Sequence, residues 1–238
     1  MIRLALLLAL VGVASTTAAP VPPPTEKELL AKHWGKFEGR GEYELTGKRL
    51  TLRTVGQPVL DHWFGGASTK VPRVTRIVRG DFEATVTVLN AAPPHKDVPH
   101  EGIGPATQAG LFVAGDGAGA EFILFQLHNR INGVVAERLQ RCVWVNTWSG
   151  SGSGGSMLDE APVGKSTHLR LTRVGKCVSV SFRFDDGTWS EPRQAGRDLE
   201  LPDEVTVGAS FGQSTHQVLS ADFHAFTIEK PKDAAKKE

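Results

Sequence analysis

A net excess of either charge is missing from this chain. Its 27 Lys and Arg residues are balanced by 26 Asp and Glu, a formal net charge of +1 over 238 residues. Such a chain projects no long-range field, which argues against nucleic acid or an anionic membrane surface as partner. Long apolar runs are missing beyond the first residues, so no later segment is expected to span a bilayer as a helix, and stable membrane insertion is not expected. Cysteine is scarce. Cys142 and Cys177 are the two the chain has, and none follows the small-residue zone Ser15–Ala19, which leaves no attachment point for a lipid anchor there. No internal repeat is visible.

Catalytic signatures are absent too. A glucanase on a β-sandwich needs carboxylates at alternate positions of one strand, one as nucleophile and one as acid/base, and no Glu-x-Asp-x-Glu pattern occurs. Asp159-Glu160, Asp185-Asp186 and Asp203-Glu204 are adjacent pairs, which a strand would send to opposite faces. Gly150-Ser151-Gly152-Ser153-Gly154 has the letters of a nucleophile elbow, but it lies in a Ser/Gly run instead of between a strand and a helix. No phosphate-binding glycine loop precedes a helix. His95 and His100, with Asp97 and Glu101, match no standard metal spacing. Asp116–Glu121 lacks the oxygen density of a calcium loop and reads as a hairpin turn. The expectation is a protein that is not an enzyme and uses no cofactor and no metal.

What is present begins with an export signal. Arg3 supplies the positive end, Leu4–Val13 the apolar stretch, and Ser15–Ala19 the cleavage zone. A signal peptide over residues 1–18 implies a secreted, extracellular or periplasmic protein, with a mature net charge of +1 − 1 = 0 once Arg3 is lost. Residues 19–36 hold the Pro-rich spacer Pro20–Pro24 and a short helix near Glu26–His33, opened by the capping box Thr25-x-x-Glu28.

From Phe37 the hydrophobic period becomes two. Phe82, Ala84, Val86 and Val88 share a face, as do Leu169 and Leu171, and as do Val178, Val180, Phe182 and Phe184. Glu204–Phe211 and Leu219–Ile228 continue the series. This alternation marks half-buried antiparallel strands. Asn132-Gly133, Val174-Gly175-Lys176 and Asp186-Gly187 supply tight turns. Ala91–Pro105 reads as a long loop, Ser149–Ser156 as a flexible one too polar to pack, and residues 230–238 as a charged tail. The expected fold is all-β: an antiparallel two-sheet β-sandwich of jelly-roll type over residues 37–229.

The chemistry that stands out lies in Arg138–Trp148. Trp144, Asn146 and Trp148 fall on one face of an alternating strand, with Arg141 nearby. Indoles stack on sugar rings, while amide and guanidinium groups bond hydroxyl pairs. These four are the ligand-binding candidates, with the Ser149–Ser156 loop at the rim; the competing reading places both tryptophans in core or loop. The two cysteines have two readings as well, two separate thiols or a Cys142–Cys177 disulfide. The bridge is the expectation, because both residues fall on strands of an exported chain.

Trp34–Phe37, Leu50–Leu52, Pro72–Glu83, Ala109–Val113, Leu169–Gly175, Asp185–Trp189 and Val205–Gly208, in this order and spacing, resemble the bacterial family catalogued as domain of unknown function 1349. That family sits in the concanavalin A-like lectin/glucanase superfamily. The resemblance runs from about Trp34 to Ile228 and implies a laminin G-like two-sheet jelly roll. It says little about activity. Members similar to this chain carry a basic or aromatic strand after the Gly-Leu-Phe segment, where this chain has the mostly apolar Ile123–Leu127. The expected function is a secreted, non-catalytic binding module with an extracellular glycan as the leading ligand. Alternatives are an envelope structural or protein-interaction domain with an envelope-protein partner, and an unrecognised glycan-active hydrolase.

Overall fold

The computed structural model describes residues 24–58, 71–101, 104–116, 121–132, 138–149, 152–196 and 199–231. The expected signal peptide, the start of the expected Pro-rich spacer, Gly133 of the expected Asn132-Gly133 turn, residues 117–120 of the Asp116–Glu121 segment and most of the expected charged tail lie outside them.

The chain opens with α1 (Glu26–His33) and continues through β1 (Lys36–Glu38), β2 (Glu42–Thr46), β3 (Arg49–Arg53), β4 (Arg73–Arg79), β5 (Phe82–Ala91), β6 (Ala106–Ala114) and β7 (Phe122–Asn132). There follow β8 (Arg138–Ser149), β9 (Gly152–Glu160), β10 (Thr167–Val174), β11 (Cys177–Phe184), β12 (Arg193–Ala195), β13 (Glu204–Gln213) and β14 (Ser220–Glu229). They form two antiparallel sheets. Sheet A runs β1-β4-β13-β6-β7-β8-β9, and sheet B runs β12-β11-β10-β5-β14-β3-β2. The all-β jelly-roll sandwich with one short helix is therefore the fold of this protein.

Helix α1 starts where the sequence places it. Thr25 accepts from Glu28 N at 3.3 Å, and Glu28 Oε2 accepts from Thr25 N at 2.8 Å, so two of the helix's orphan amides are satisfied reciprocally. Its apolar side, Leu30 with the following Trp34, is buried. Trp34 stacks on Phe226 at 6.0 Å, which ties the helix to β14.

The layer between the sheets is built by alternation. Phe82, Ala84, Val86 and Val88 of β5, with Leu169 and Leu171 of β10, face Leu111 and Val113 of β6 and Ile123, Phe125 and Leu127 of β7. The two-residue turn Gly175-Lys176 joins β10 to β11 with Val174 opposite Cys177, and Gly175 takes the positive φ (59°) that this turn demands. Arg173 is buried at that end. Its guanidinium donates to the carbonyls of Pro202 (2.7 Å), Gly175 (3.1 Å) and Leu201 (3.3 Å), so its charge is met by peptide dipoles.

Two expectations are corrected here. The expected disulfide is absent: Cys142 and Cys177 are both free. Along β8 the core-facing residues are Val143 and Val145, so Cys142 points outward from sheet A. Along β11 they are Val178 and Val180, so Cys177 points outward from sheet B. The thiols leave opposite sides of a sandwich whose sheets pack about 10 Å apart, beyond bridging reach. Burial, followed by the nearby Glu160, pushes the Cys142 thiol up to about 11. The second correction concerns Ser149–Ser156. Instead of a flexible loop, Ser149 ends β8 and Gly152–Ser156 begin β9, which pairs with β8 from Ser149↔Gly152 to Cys142↔Glu160. Glycine and serine carry too little side chain to show a burial pattern, and the ladder is made by their backbone.

Removing the indole of Trp34 leaves a large void between α1 and β14. Trp34→Ala is expected to lower unfolding stability by about 3–5 kcal/mol, read as a lower urea midpoint with an unchanged slope.

Candidate functional site

Because β7 and β8 pair without a break, every residue opposite in parity to the core lands on the outer face of sheet A. Register then lays that face out in rows across the strands. One row reads Glu38, Arg73, Ser210, Gly110, Gln126, Trp144, Met157 from β1 to β9. The row on one side contains Gln108, His128, Cys142 and Glu160. On the other side lie Phe112, Leu124 and Asn146, then Ala114, Phe122 and Trp148.

Trp144, Asn146 and Trp148 thus share this face, and all three are half-buried. Trp144 Nε1 donates to Asn146 Oδ1 at 2.7 Å. This holds the amide so that its NH2 group is the half that remains for a ligand. The pair lies flat over β9 because position 155 is glycine: a Cβ there would sit 2.3 Å from Asn146 Oδ1 and 2.8 Å from Trp144 Nε1. Trp148 packs against a second apolar cluster of Phe112, Ala114, Phe122 and Leu124, separate from the inter-sheet core. The two indoles are therefore neither buried against the opposite sheet nor fully open.

Arg141 does not join them. It pairs with Asn129 on the core-facing parity of β8, donates from Nη2 to Lys165 O at 3.0 Å, and lines a cleft of about 350 Å³ with Leu139, Ala161 and Val163. A second cleft, of about 380 Å³, lies between the open edges of the sandwich and is lined by Val145, Thr147, Gly154, Gln194 and Leu199. It is on the core-facing side of β8, away from the tryptophans, so β9 borders that cleft as well as the Trp144–Asn146 pair.

Sequence reasoning missed the polar residues beside Trp144. Gln126 and His128 are buried on β7. Gln126 Nε2 donates to Ser210 Oγ at 3.4 Å, and the His128 ring meets Trp144 edge-on at 5.9 Å. The available signal was their period of two inside an apolar run, the same parity as Leu124 and Phe122. Burial, then the nearby Arg130, lowers His128 to about 4, so its imidazole is neutral at pH 7.

Carboxylates on this face include Glu204, at the start of β13 and paired with Arg79, and two at the edges, Glu38 on β1 and Glu160 on β9. Six strand spacings separate the edge pair, about 29 Å, whereas a glycosidase pair needs roughly 5–9.5 Å. Glu38 is also engaged with Arg73 at 3.0 Å. Elsewhere, Asp185 pairs with Lys165 at 2.6 Å. His95 and Asp97 are exposed, 3.9 Å apart, and among the described residues no three metal-ligating side chains converge.

No protein-family model matches the chain, and no curated protein matches its sequence. Solved structures do. A functionally unknown protein from Saccharomyces cerevisiae aligns at 16% identity over 82% of this chain and 94% of its own, with a TM-score of 0.57. The legume lectin-like domain from Entamoeba histolytica aligns at 13% identity over 90% of this chain and 100% of its own, at 0.51. A xylan beta-1,4-xylosidase from Bacillus halodurans C-125 aligns at 11% identity and 0.50, this chain spanning 41% of that enzyme. At these identities the likeness is one of fold, of the concanavalin A-like type.

His128 links stability to pH. Its folded value of about 4 lies below its ordinary 6.5. As pH falls between these values the unfolded chain takes up a proton that the buried imidazole refuses. Stability is therefore full above pH 6.5 and falls by up to about 3 kcal/mol on approaching pH 4. His128→Gln is expected to flatten that part of the profile in urea titrations at stepped pH. An unchanged slope would mean that His128 does not carry it.

Proposed function

We propose that this protein is a non-catalytic carbohydrate-binding module, exported from the cell, that holds an uncharged stretch of extracellular glycan on the outer face of sheet A. One observation carries the reading. The Trp144–Asn146 pair sets an indole and an amide donor side by side on β8, and neither β8 nor its neighbours β7 and β6 bear a carboxylate among the described residues. A sugar needs both groups: its C–H face stacks on the indole, and its hydroxyls bond amides. Gln126 and neutral His128, both buried beside Trp144, put no charge next to it. The legume lectin-like fold agrees with this use, and membership of the domain of unknown function 1349 family belongs to the same proposal. A hydrolase is the weaker reading, because the edge carboxylates Glu38 and Glu160 on the face bearing the tryptophans stand far beyond catalytic separation.

The mature chain, titrated with xylan and with laminarin, should bind at least one of them and release no reducing ends. Trp144→Ala should weaken that binding about tenfold, the worth of one aromatic stack, while the melting temperature hardly moves. Gly155→Ala should do the same by pushing Asn146 off Trp144. Release of reducing ends, or binding untouched by both substitutions, would overturn the proposal.

A further inference from the structure

The outer face of sheet B has its own pattern, and nothing in the site on sheet A uses it. Register places Arg183 of β11, His168 of β10, Thr87 of β5, His224 of β14 and Arg49 of β3 side by side in one row. The next row adds Arg170, opposite Ser181 and Thr85. These two rows hold three guanidiniums, two imidazoles and no carboxylate. In a chain whose charges balance overall, this is a local excess of cation.

The row is built. Thr87 Oγ1 and His168 Nδ1 share a hydrogen bond of 2.9 Å. Arg170 Nε donates to Ser181 Oγ at 2.9 Å. Trp189, arriving from the segment after β11, lies with Arg170 Cζ at 4.0 Å and Arg183 Cζ at 5.1 Å from its ring centre. The indole fixes both guanidiniums without neutralising them. None of Arg49, Arg170 and Arg183 forms an ion pair with a described carboxylate. Arg183 Nε is buried with no acceptor among the described residues.

The backbone of β14 is also bent here. The register shifts between His224 and Thr227, and Ala225 takes a φ of 53°, a left-handed conformation that costs a non-glycine residue about 1 kcal/mol or more. The bulge lets Phe226 stay in the core while Thr227 comes onto the face of His224 and meets Thr85 Oγ1 at 2.8 Å. Carboxylates border the rows: Asp186 and Asp185 act on His168, Asp185 also holding Lys165; Glu83, which accepts from Thr172, lies opposite Glu229 in the row beyond Arg170; and Asp222 accepts from Thr51 at 2.7 Å.

We propose that the outer face of sheet B is a second binding surface, which takes a sulfated polysaccharide laid across the strands along the Arg183–His168–Thr87–His224–Arg49 row. The row covers four strand spacings, about 19 Å, too long for one small anion and suited to a chain with repeated charges. Sulfate esters are charged at every working pH and accept from guanidinium forks and imidazole N–H groups. A single-stranded nucleic acid would need several open aromatic platforms. Among the described residues of this face, Trp189 is the aromatic on offer, and it is already stacked on two arginines.

The test is retention of the mature chain on immobilised dextran sulfate against uncharged dextran at about 0.15 M salt. Dextran sulfate should retain the protein, and uncharged dextran should not. Arg49→Gln, at an exposed position, and Arg183→Gln should each weaken binding about fivefold, in the range of one exposed charged contact. Lys176→Gln, on the β10–β11 turn outside the row, should leave it unchanged. Trp144→Ala should also leave it unchanged, which separates this surface from the one on sheet A. No retention of dextran sulfate overturns the proposal. So does equal loss from Lys176→Gln, or equally strong binding of oligothymidylate.

Discussion

Everything on the two outer faces depends on one constraint: the sheets share a single apolar layer, and a strand's side chains alternate. Once Val143 and Val145 are committed to that layer, Trp144, Asn146 and Trp148 have one side left to occupy. Once Leu169 and Leu171 are committed, His168 and Arg170 are fixed on the other outer face. A slip of one residue in either strand would bring tryptophan or arginine into the core and valine or leucine into water. The burial of some thirty apolar side chains sets the cost of such a slip, far beyond what any pair on the outer faces could repay. The two outer faces are by-products of core register, and their geometry is as rigid as the core is.

That constraint also explains what could be read from the sequence. The period-two strands β5, β10, β11, β13 and β14 were legible because burial on one side writes itself directly into the letters. The capping box of α1 was legible because its chemistry is local, four residues long. β9 was not, since Gly152–Ser156 contributes backbone and almost no side chain. The parting of Cys142 and Cys177 was not legible either. Each was placed on a strand, but which sheet each strand joins is a property of topology, set by pairings such as β8 with β7 and β11 with β10. Arg141 shows the limit in miniature. It is near the tryptophans in sequence, yet its odd position sends it to the other side of β8.

Gln126 and His128 illustrate a subtler loss. β7 reads as a continuous apolar run, the signature of a strand buried on both sides, and both of its faces are indeed buried among the described residues. Polar residues inside such a run are costly unless they bond one another or stay neutral. The Gln126–Ser210 bond and the suppressed protonation of His128 are those two remedies. A cation at either place would find no carboxylate on β6, β7 or β8 to compensate it among the described residues. The absence of charged residues along Phe122–His128 leaves the strip of β7 beside Trp144 uncharged, which suits recognition of hydroxyls instead of ions.

Sheet B solves the opposite problem. Its outer rows are half-exposed, so water screens Arg49, Arg170 and Arg183 and they can remain unpaired at little cost. The expense appears instead as ordering: long side chains lose rotamers when they are held in place. Trp189 offsets that loss by stacking on Arg170 and Arg183 together, and Ser181 adds a hydrogen bond to the first. A guanidinium already held loses less freedom when a ligand arrives, so pre-organisation raises affinity without any new contact. The strained turn at Ala225 belongs to the same arrangement. It keeps Phe226 in the core while the residues on either side of it, His224 and Thr227, meet the cationic rows. A straight β14 would carry Thr227 away from Thr85 and leave this end of the face without its hydrogen bond.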